Sequence, residues 1–105
     1  MRNKGYIITL SYDIPMETKE DNRNYVSFVK NIGKRGYIIV QKSVYIKYVT
    51  NYVAIKYEAM AIDKFSPNKG NIYLMCQTVT NYKKIIAIRG QKPDIDAMIN
   101  PLIWI

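Results

Sequence analysis

The run Tyr6-Ile7-Ile8-Thr9-Leu10-Ser11-Tyr12-Asp13-Ile14 reads as a strand buried inside a sheet, and a chain of 105 residues has few ways to cover such a strand. Successive side chains point to opposite faces, so Ile8, Leu10 and Tyr12 line one side and Ile7, Thr9, Ser11 and Asp13 the other. Pro15 ends the strand by removing a backbone donor and restricting Ile14. Thr18 with Asp21 three residues on is a capping-box pattern and predicts a helix to about Asn31. Tyr25, Phe28, Val29 and Ile32 form its core face, and Gly33 and Gly36 close it. Tyr37 to Val40 and Ser43 to Val49 follow as strands, joined at Gln41 and Lys42. Thr50 or Asn51 caps a second helix whose apolar stripe is Tyr52, Ile55, Ala59 and Ile62, widened by Met60. The turn Ser66-Pro67-Asn68-Lys69-Gly70 leads to a fourth strand, Asn71 to Val79, and Lys84 to Arg89 adds a fifth short strand before Gly90.

Strand, helix, strand, strand, helix, strand is the order of an α+β ferredoxin-like βαββαβ sandwich, here with an additional C-terminal strand. That domain spans residues 1–92, and residues 93–105 form an apolar C-terminal tail. Both helices cover one face of the sheet. The other face is largely apolar as well, with Tyr73 and Met75 on it, so it needs cover. A homodimer packed sheet on sheet is the direct solution. The tail folds back on its own subunit or dimer mate, or it offers Ile103, Trp104 and Ile105 to another protein as docking residues.

Sixteen Lys and Arg stand against eight Asp and Glu, a net charge of +8. The excess is concentrated, because no acidic residue lies between Asp21 and Glu58, while Arg23, Lys30, Lys34, Arg35, Lys42, Lys47 and Lys56 do. Such a field suits a phosphate backbone, and Arg23, Lys30, Lys34, Arg35 and Lys42 are the expected contacts, made without regard to base sequence. An anionic membrane fits less well, since the basic residues are spread over folded elements and form no separate arm. No stretch approaches a membrane span and no signal-cleavage pattern follows Arg2 and Lys4, so a cytoplasmic protein with no membrane partner is expected. The lack of histidine excludes imidazole general-base and histidine–zinc chemistry. The lone Cys76 excludes an internal disulfide and is expected to be buried in the fourth strand. No glycine-rich fingerprint follows the first strand, which argues against a dinucleotide enzyme.

Asp13 carries the chemical alternative. A carboxylate where a strand opens into a loop can hold Mg2+ or Mn2+. One carboxylate is a poor metal site, and Asp13 of a two-fold partner is the simplest second ligand. A shared cation would polarise a non-bridging phosphate oxygen and lower the pKa of bound water, making Asp13 the catalytic residue of a phosphodiester hydrolase. The competing reading of a lone aspartate before a proline-containing turn is a cap or turn residue. Ser43 can donate a hydrogen bond to a carboxylate or phosphate. Tyr12 and Tyr45 suit the core, a dimer interface or nucleic acid equally.

Tyr12-Asp13-Ile14, Gln41-Lys42-Ser43-Val44-Tyr45, Asn68-Lys69-Gly70-Asn71-Ile72 and Arg89-Gly90, in that order, resemble the small CRISPR-associated protein that partners the spacer integrase, the Cas-two family. The resemblance runs from about Tyr6 to Gln91 and is strongest at Gln41 to Tyr45, which looks like the family's glutamine, any residue, serine, valine, aromatic signature. It implies a ferredoxin-like homodimer that bridges two dimers of the CRISPR integrase and supports a double-stranded DNA prespacer during spacer acquisition. As an alternative it implies an Mg2+-dependent endonuclease, cutting single-stranded RNA or double-stranded DNA, with Asp13 of each subunit as the matching aspartates. Val40 stands where many members have arginine, and Ile46 and Lys47 where others carry an acidic residue; both departures resemble the type II branch. A third reading, an unrelated ferredoxin-like module binding RNA or a regulatory protein, is opposed by the Gln41 to Tyr45 signature.

Overall fold

The computed structural model describes residues 4–99, and in it the first apolar run becomes the inner strand β1 (Tyr6–Asp13). Helix α1 (Lys19–Lys34), strands β2 (Ile38–Gln41) and β3 (Val44–Val49), helix α2 (Val53–Phe65) and strand β4 (Asn71–Thr78) follow. Two short helices, α3 (Val79–Lys83) and α4 (Ile95–Ile99), close the described chain. The sheet order is β2-β3-β1-β4, antiparallel at every pairing, which is the ferredoxin-like βαββαβ arrangement. Among the described residues no helix is long and apolar enough to cross a membrane.

Local chemistry accounts for the element ends. The Thr18 hydroxyl accepts from the Asp21 N–H at 2.9 Å, and Asp21 Oδ2 accepts from the Thr18 N–H at 3.3 Å, completing the capping box. The helix runs on past Asn31 to Lys34, since Gly33 tolerates a helical conformation, and the reversal waits for Gly36 at φ +91°. Asn51 Oδ1 accepts from the Ala54 N–H at 3.0 Å and closes the start of α2.

Ile8, Leu10 and Tyr12 pack with Phe28, Ile32 and Ile62 to form the core between sheet and helices. On the opposite face, Ile7 and Ile46 are also fully buried, under the chain's own Val79, Tyr82 and Ile95 from α3 and α4. That cover is partial. Tyr73 and Met75, on the same face of β4, remain 63% and 48% exposed.

Three expectations are corrected. Lys84 to Arg89 is not a strand. The Thr78 hydroxyl accepts from the Asn81 N–H at 3.1 Å and caps α3, which carries the chain off the sheet, so among the described residues no strand pairs with those that follow it. Cys76 is exposed, because β4 is an edge strand where cover is incomplete. The stripe assigned to α2 is rotated: Tyr52, Ala59 and Met60 face solvent, while Ala54, Ile55, Glu58, Ile62 and Phe65 turn inward around the buried Glu58. Ile103, Trp104 and Ile105 lie outside the described residues.

Gly70 fixes the entry to β4. At φ +91°, a Cβ would run into the Asp13 carbonyl oxygen and stand 3.0 Å from Ile14 Cα. Both obstacles are backbone and neither can rotate away. Gly70→Ala is expected to destabilise the fold by about 2–3 kcal/mol, read as a lower urea midpoint at unchanged slope. A wild-type midpoint would show that the turn re-forms around the methyl group.

Candidate nucleic-acid interface and carboxylate site

The antiparallel register brings the end of β1, the β2–β3 turn and the start of β4 to one end of the sheet. Asp13 stands there exposed, opposite Asn71. The Tyr12 N–H donates to the Ser43 carbonyl oxygen at 3.2 Å and ties β1 to the turn that carries the exposed Lys42. Ser43 sits at φ +64°, a conformation that costs a non-glycine residue about 1–2 kcal/mol and is held here by that bond. Asp13, Lys42 and Ser43 are thus gathered at one end.

Tyr12 and Tyr45 belong to the packing beneath this end. Their rings stack at 6.1 Å, and Tyr12 also meets Tyr25 and Phe28 edge-on at 6.0 and 5.2 Å. Burial, with the Tyr25 hydroxyl adding to it, pushes the Tyr12 phenol far above its ordinary value, so it stays protonated. Asp13 brings one carboxylate, and its register partner Asn71 one amide. A hard cation asks for six or more oxygen ligands, so this donor set fits part of a site. Among the described residues no group of three or more His, Cys, Asp or Glu is placed to hold a metal ion.

The basic residues divide into two kinds. Arg23, Lys30 and Lys34 are exposed on α1. At 3.6 residues per turn they share one sector, about 80° wide, with Lys19 and Ser27. After Asp21 the helix carries no acidic residue. The stripe is about 22 Å long at 1.5 Å per residue, which spans about six phosphate steps of one duplex strand at 3.4 Å each. Lys19 escaped the reading of the sequence, although its spacing of four from Arg23 is the signal that places it.

Arg35 is committed elsewhere. Its Nε donates to Glu58 Oε1 at 3.2 Å and its Nη2 to Oε2 at 2.8 Å. Lys47 Nζ lies 3.1 Å from the same Oε2, and the Tyr37 hydroxyl donates to Oε1 at 3.1 Å. Lys47 also sits 5.5 Å from the centroid of the Tyr37 ring. Burial alone would raise the Glu58 carboxyl, but the Arg35, Lys47 and Tyr37 hydrogen bonds outweigh it and hold the group below its ordinary value. Burial, then the Glu58 charge, raises the Tyr37 phenol. The cluster fastens the end of α1, the approach to β2, β3 and α2 to one another. Two sets of Arg35 donors face Glu58, and the rest are what it can offer a phosphate. Asp21 is the second buried carboxylate. Burial raises it, but the Thr18 N–H and Lys69, 3.4 Å away, outweigh that and lower it.

Residues 6–85 match the family model described as CRISPR associated protein Cas2. A protein of Treponema denticola named CRISPR-associated endoribonuclease Cas2 is 33% identical over 84 residues, 80% of this chain and 83% of its own. A Ligilactobacillus salivarius protein of the same name is 29% identical over 85 residues, 81% of this chain and 84% of its own. One from Streptococcus mutans is 31% identical over 83 residues, covering 79% and 78% of the two chains.

Proposed function

Because the chain belongs to the Cas2 family of CRISPR-associated proteins, we propose that it serves CRISPR spacer acquisition in the cytoplasm as a homodimeric adaptor that binds duplex prespacer DNA and bridges integrase dimers. Its Val40, Ile46 and Lys47 resemble the branch found with type II systems and support placing it there. The observation that carries DNA binding is the α1 stripe of Arg23, Lys30 and Lys34, exposed and without a carboxylate. Phosphate contacts of this kind hold a duplex without reading it, which suits prespacers of unrelated sequence.

The open part of the second sheet face, around Tyr73 and Met75, supports the homodimer. So does the free edge of β4. A partner's Lys84 to Arg89 segment would find at that edge the pairing its own sheet does not give it, and Ile86 and Ile88, now 82% and 93% exposed, would gain cover. The additional C-terminal strand is then a property of the dimer. Pairing also doubles the basic stripe.

A second reading is supported by the exposure of Asp13 at the end of β1 and by the activity in the relatives' names. In it the two Asp13 carboxylates of the dimer hold Mg2+ or Mn2+, which when bound supplies charge neutralisation at a scissile phosphate. The chain's own part is to position that cation.

Light-scattering mass of the chain mixed with its neighbouring integrase, with and without a short DNA duplex, tests both readings in wild type and Asp13→Ala. One complex containing a dimer of this chain, formed equally by both proteins, is the result expected of an adaptor. No complex under any condition overturns it. Mg2+-dependent cleavage of RNA or DNA that disappears in homogeneous Asp13→Ala protein would establish the second reading, and cleavage left unchanged would remove it.

A further inference from the structure

The sheet has two edges, and the dimer proposed above uses only the β4 one. At the other, β2 has β3 on its inner side and, among the described residues, no strand on its outer side. Its residues Ile38-Ile39-Val40-Gln41 carry no charge, the device by which a free edge ordinarily deters pairing. The irregularity between Ile39 and Gln41 bends the strand without supplying one. Both faces of this edge are open. Ile38 stands opposite Ile46 and Ile39 opposite Tyr45, so the two isoleucines lie on different faces of the sheet, and they are 45% and 57% exposed. An edge apolar on both faces calls for a strand that is apolar at successive positions, since alternate residues meet alternate faces.

We infer that the segment Leu102-Ile103-Trp104-Ile105 of the same chain pairs with this edge as a further strand. The segment lies outside the described residues, and the place where those residues end points it to β2. Helix α4 lies against β3, the neighbour of β2. Its Met98 and Ile99 pack on the same cluster around Ile46 as Val40 of β2 does. From Ile99 to Trp104 an extended chain covers about 17 Å at about 3.3 Å per residue. A strand beyond β2 lies about 10 Å across the sheet from β3, at about 4.8 Å per strand, which leaves room for the descent from helix to sheet. Pro101 opposes extension of the helix and, placed before the pairing residues, takes no donor from them. Leu102 and Trp104 then alternate with Ile103 and Ile105, so each face of the edge meets two apolar side chains. The dimer mate joins at β4, about 14 Å across the sheet from β2, so the chain's own segment is the nearer one.

Trp104 is the only tryptophan in the sequence, so its fluorescence reads this segment alone. In the wild-type chain its emission is expected to be blue-shifted, shielded from acrylamide and unchanged on dilution. Ile39→Lys sets a charge on the edge, and Ile103→Pro removes a donor from the added strand. Each is expected to give the emission of an indole in water. Amide hydrogen exchange in β2 should run at least about tenfold faster in Ile103→Pro than in wild type. Exchange in β1 should stay as slow as in wild type in both variants, which separates a released segment from a lost fold. The inference is overturned if Trp104 is already open to acrylamide in the wild-type chain, if it stays shielded in either variant, or if β2 exchange is the same in Ile103→Pro. Shielding that disappears on dilution assigns the edge to a second copy of the chain, and shielding that appears only when another protein is added assigns the segment to that protein; either result overturns it as well. Dimerisation through β4 is read by light-scattering mass in the same samples and can fail independently.

Discussion

Alanine at Arg23, Lys30 and Lys34 together is expected to weaken duplex DNA binding by roughly 100,000-fold at about 0.1 M salt and to flatten its salt dependence. Three or four phosphate contacts per subunit give a dimer a slope of log affinity on log salt of roughly −5 to −7, and removing three per subunit leaves roughly 0 to −2. All three side chains are exposed on α1, so the fold should lose no more than about 0.5 kcal/mol. Arg35→Ala should behave differently, losing stability because Glu58 is left without its bidentate partner. Fluorescence anisotropy with two unrelated duplexes over a salt series checks the argument. Equal affinity for both duplexes is expected, since phosphates carry no sequence information. A wild-type slope near zero, or a triple variant that keeps the wild-type slope, would remove the α1 stripe from DNA recognition.

What the sequence disclosed follows from how local each signal is. The two-residue alternation of β1, the stop at Pro15 and the Thr18–Asp21 box act within a few residues, and from them the βαββαβ order follows. The gathering of Asp13, Lys42 and Ser43 needs only an antiparallel register in addition. The inner face of α2 was not legible, because Glu58 breaks the apolar period and its partners arrive from elsewhere. Arg35 is 23 positions away, and a guanidinium near the end of one helix gives no hint that it will close on the middle of another. Cys76 turns on sheet order: alternation says which side of β4 a residue is on, and only the neighbours decide how well that side is covered. Lys84 to Arg89 has real β propensity in Ile85, Ile86 and Ile88, yet a strand also needs an edge, and α3 leads the segment away from one. The turn at Ser43 contains no glycine to announce it; the bond from the Tyr12 N–H holds it from outside.

Glu58→Gln is expected to cost about 2 kcal/mol at pH 7, and the wild type is expected to lose the same stability in acid. Removing one partner of a fully buried ion pair costs about 3–5 kcal/mol. The figure is smaller here because the Arg35 and Lys47 side chains keep 35% and 23% exposure and can regain water. The Glu58 carboxyl is held below its ordinary value of 4.5 in the folded chain, so the unfolded chain takes up a proton there first. Its stabilisation is complete above that ordinary value and disappears as pH falls through the depressed folded one. Arg35 and Tyr37 keep their protons throughout, the Arg35 guanidinium being raised by its bond to Glu58 and the Tyr37 phenol by its burial. Asp21 is lowered too, so an acid-labile component survives in the variant. Urea unfolding at fixed protein concentration, from pH 7 to about pH 3, reads both effects. The gap between wild type and Glu58→Gln should close as the carboxyl protonates. A variant as stable as wild type at pH 7, or a gap that persists undiminished into acid, would show that the Arg35–Glu58–Lys47 cluster does not hold the helix layer to the sheet. Because loss of the Glu58 charge also frees Arg35 beside the α1 stripe, the weakened variant should bind duplex DNA at least as tightly as wild type. Affinity above that of wild type would report the freed Arg35, since a purely structural defect in a chain that stays folded leaves affinity unchanged.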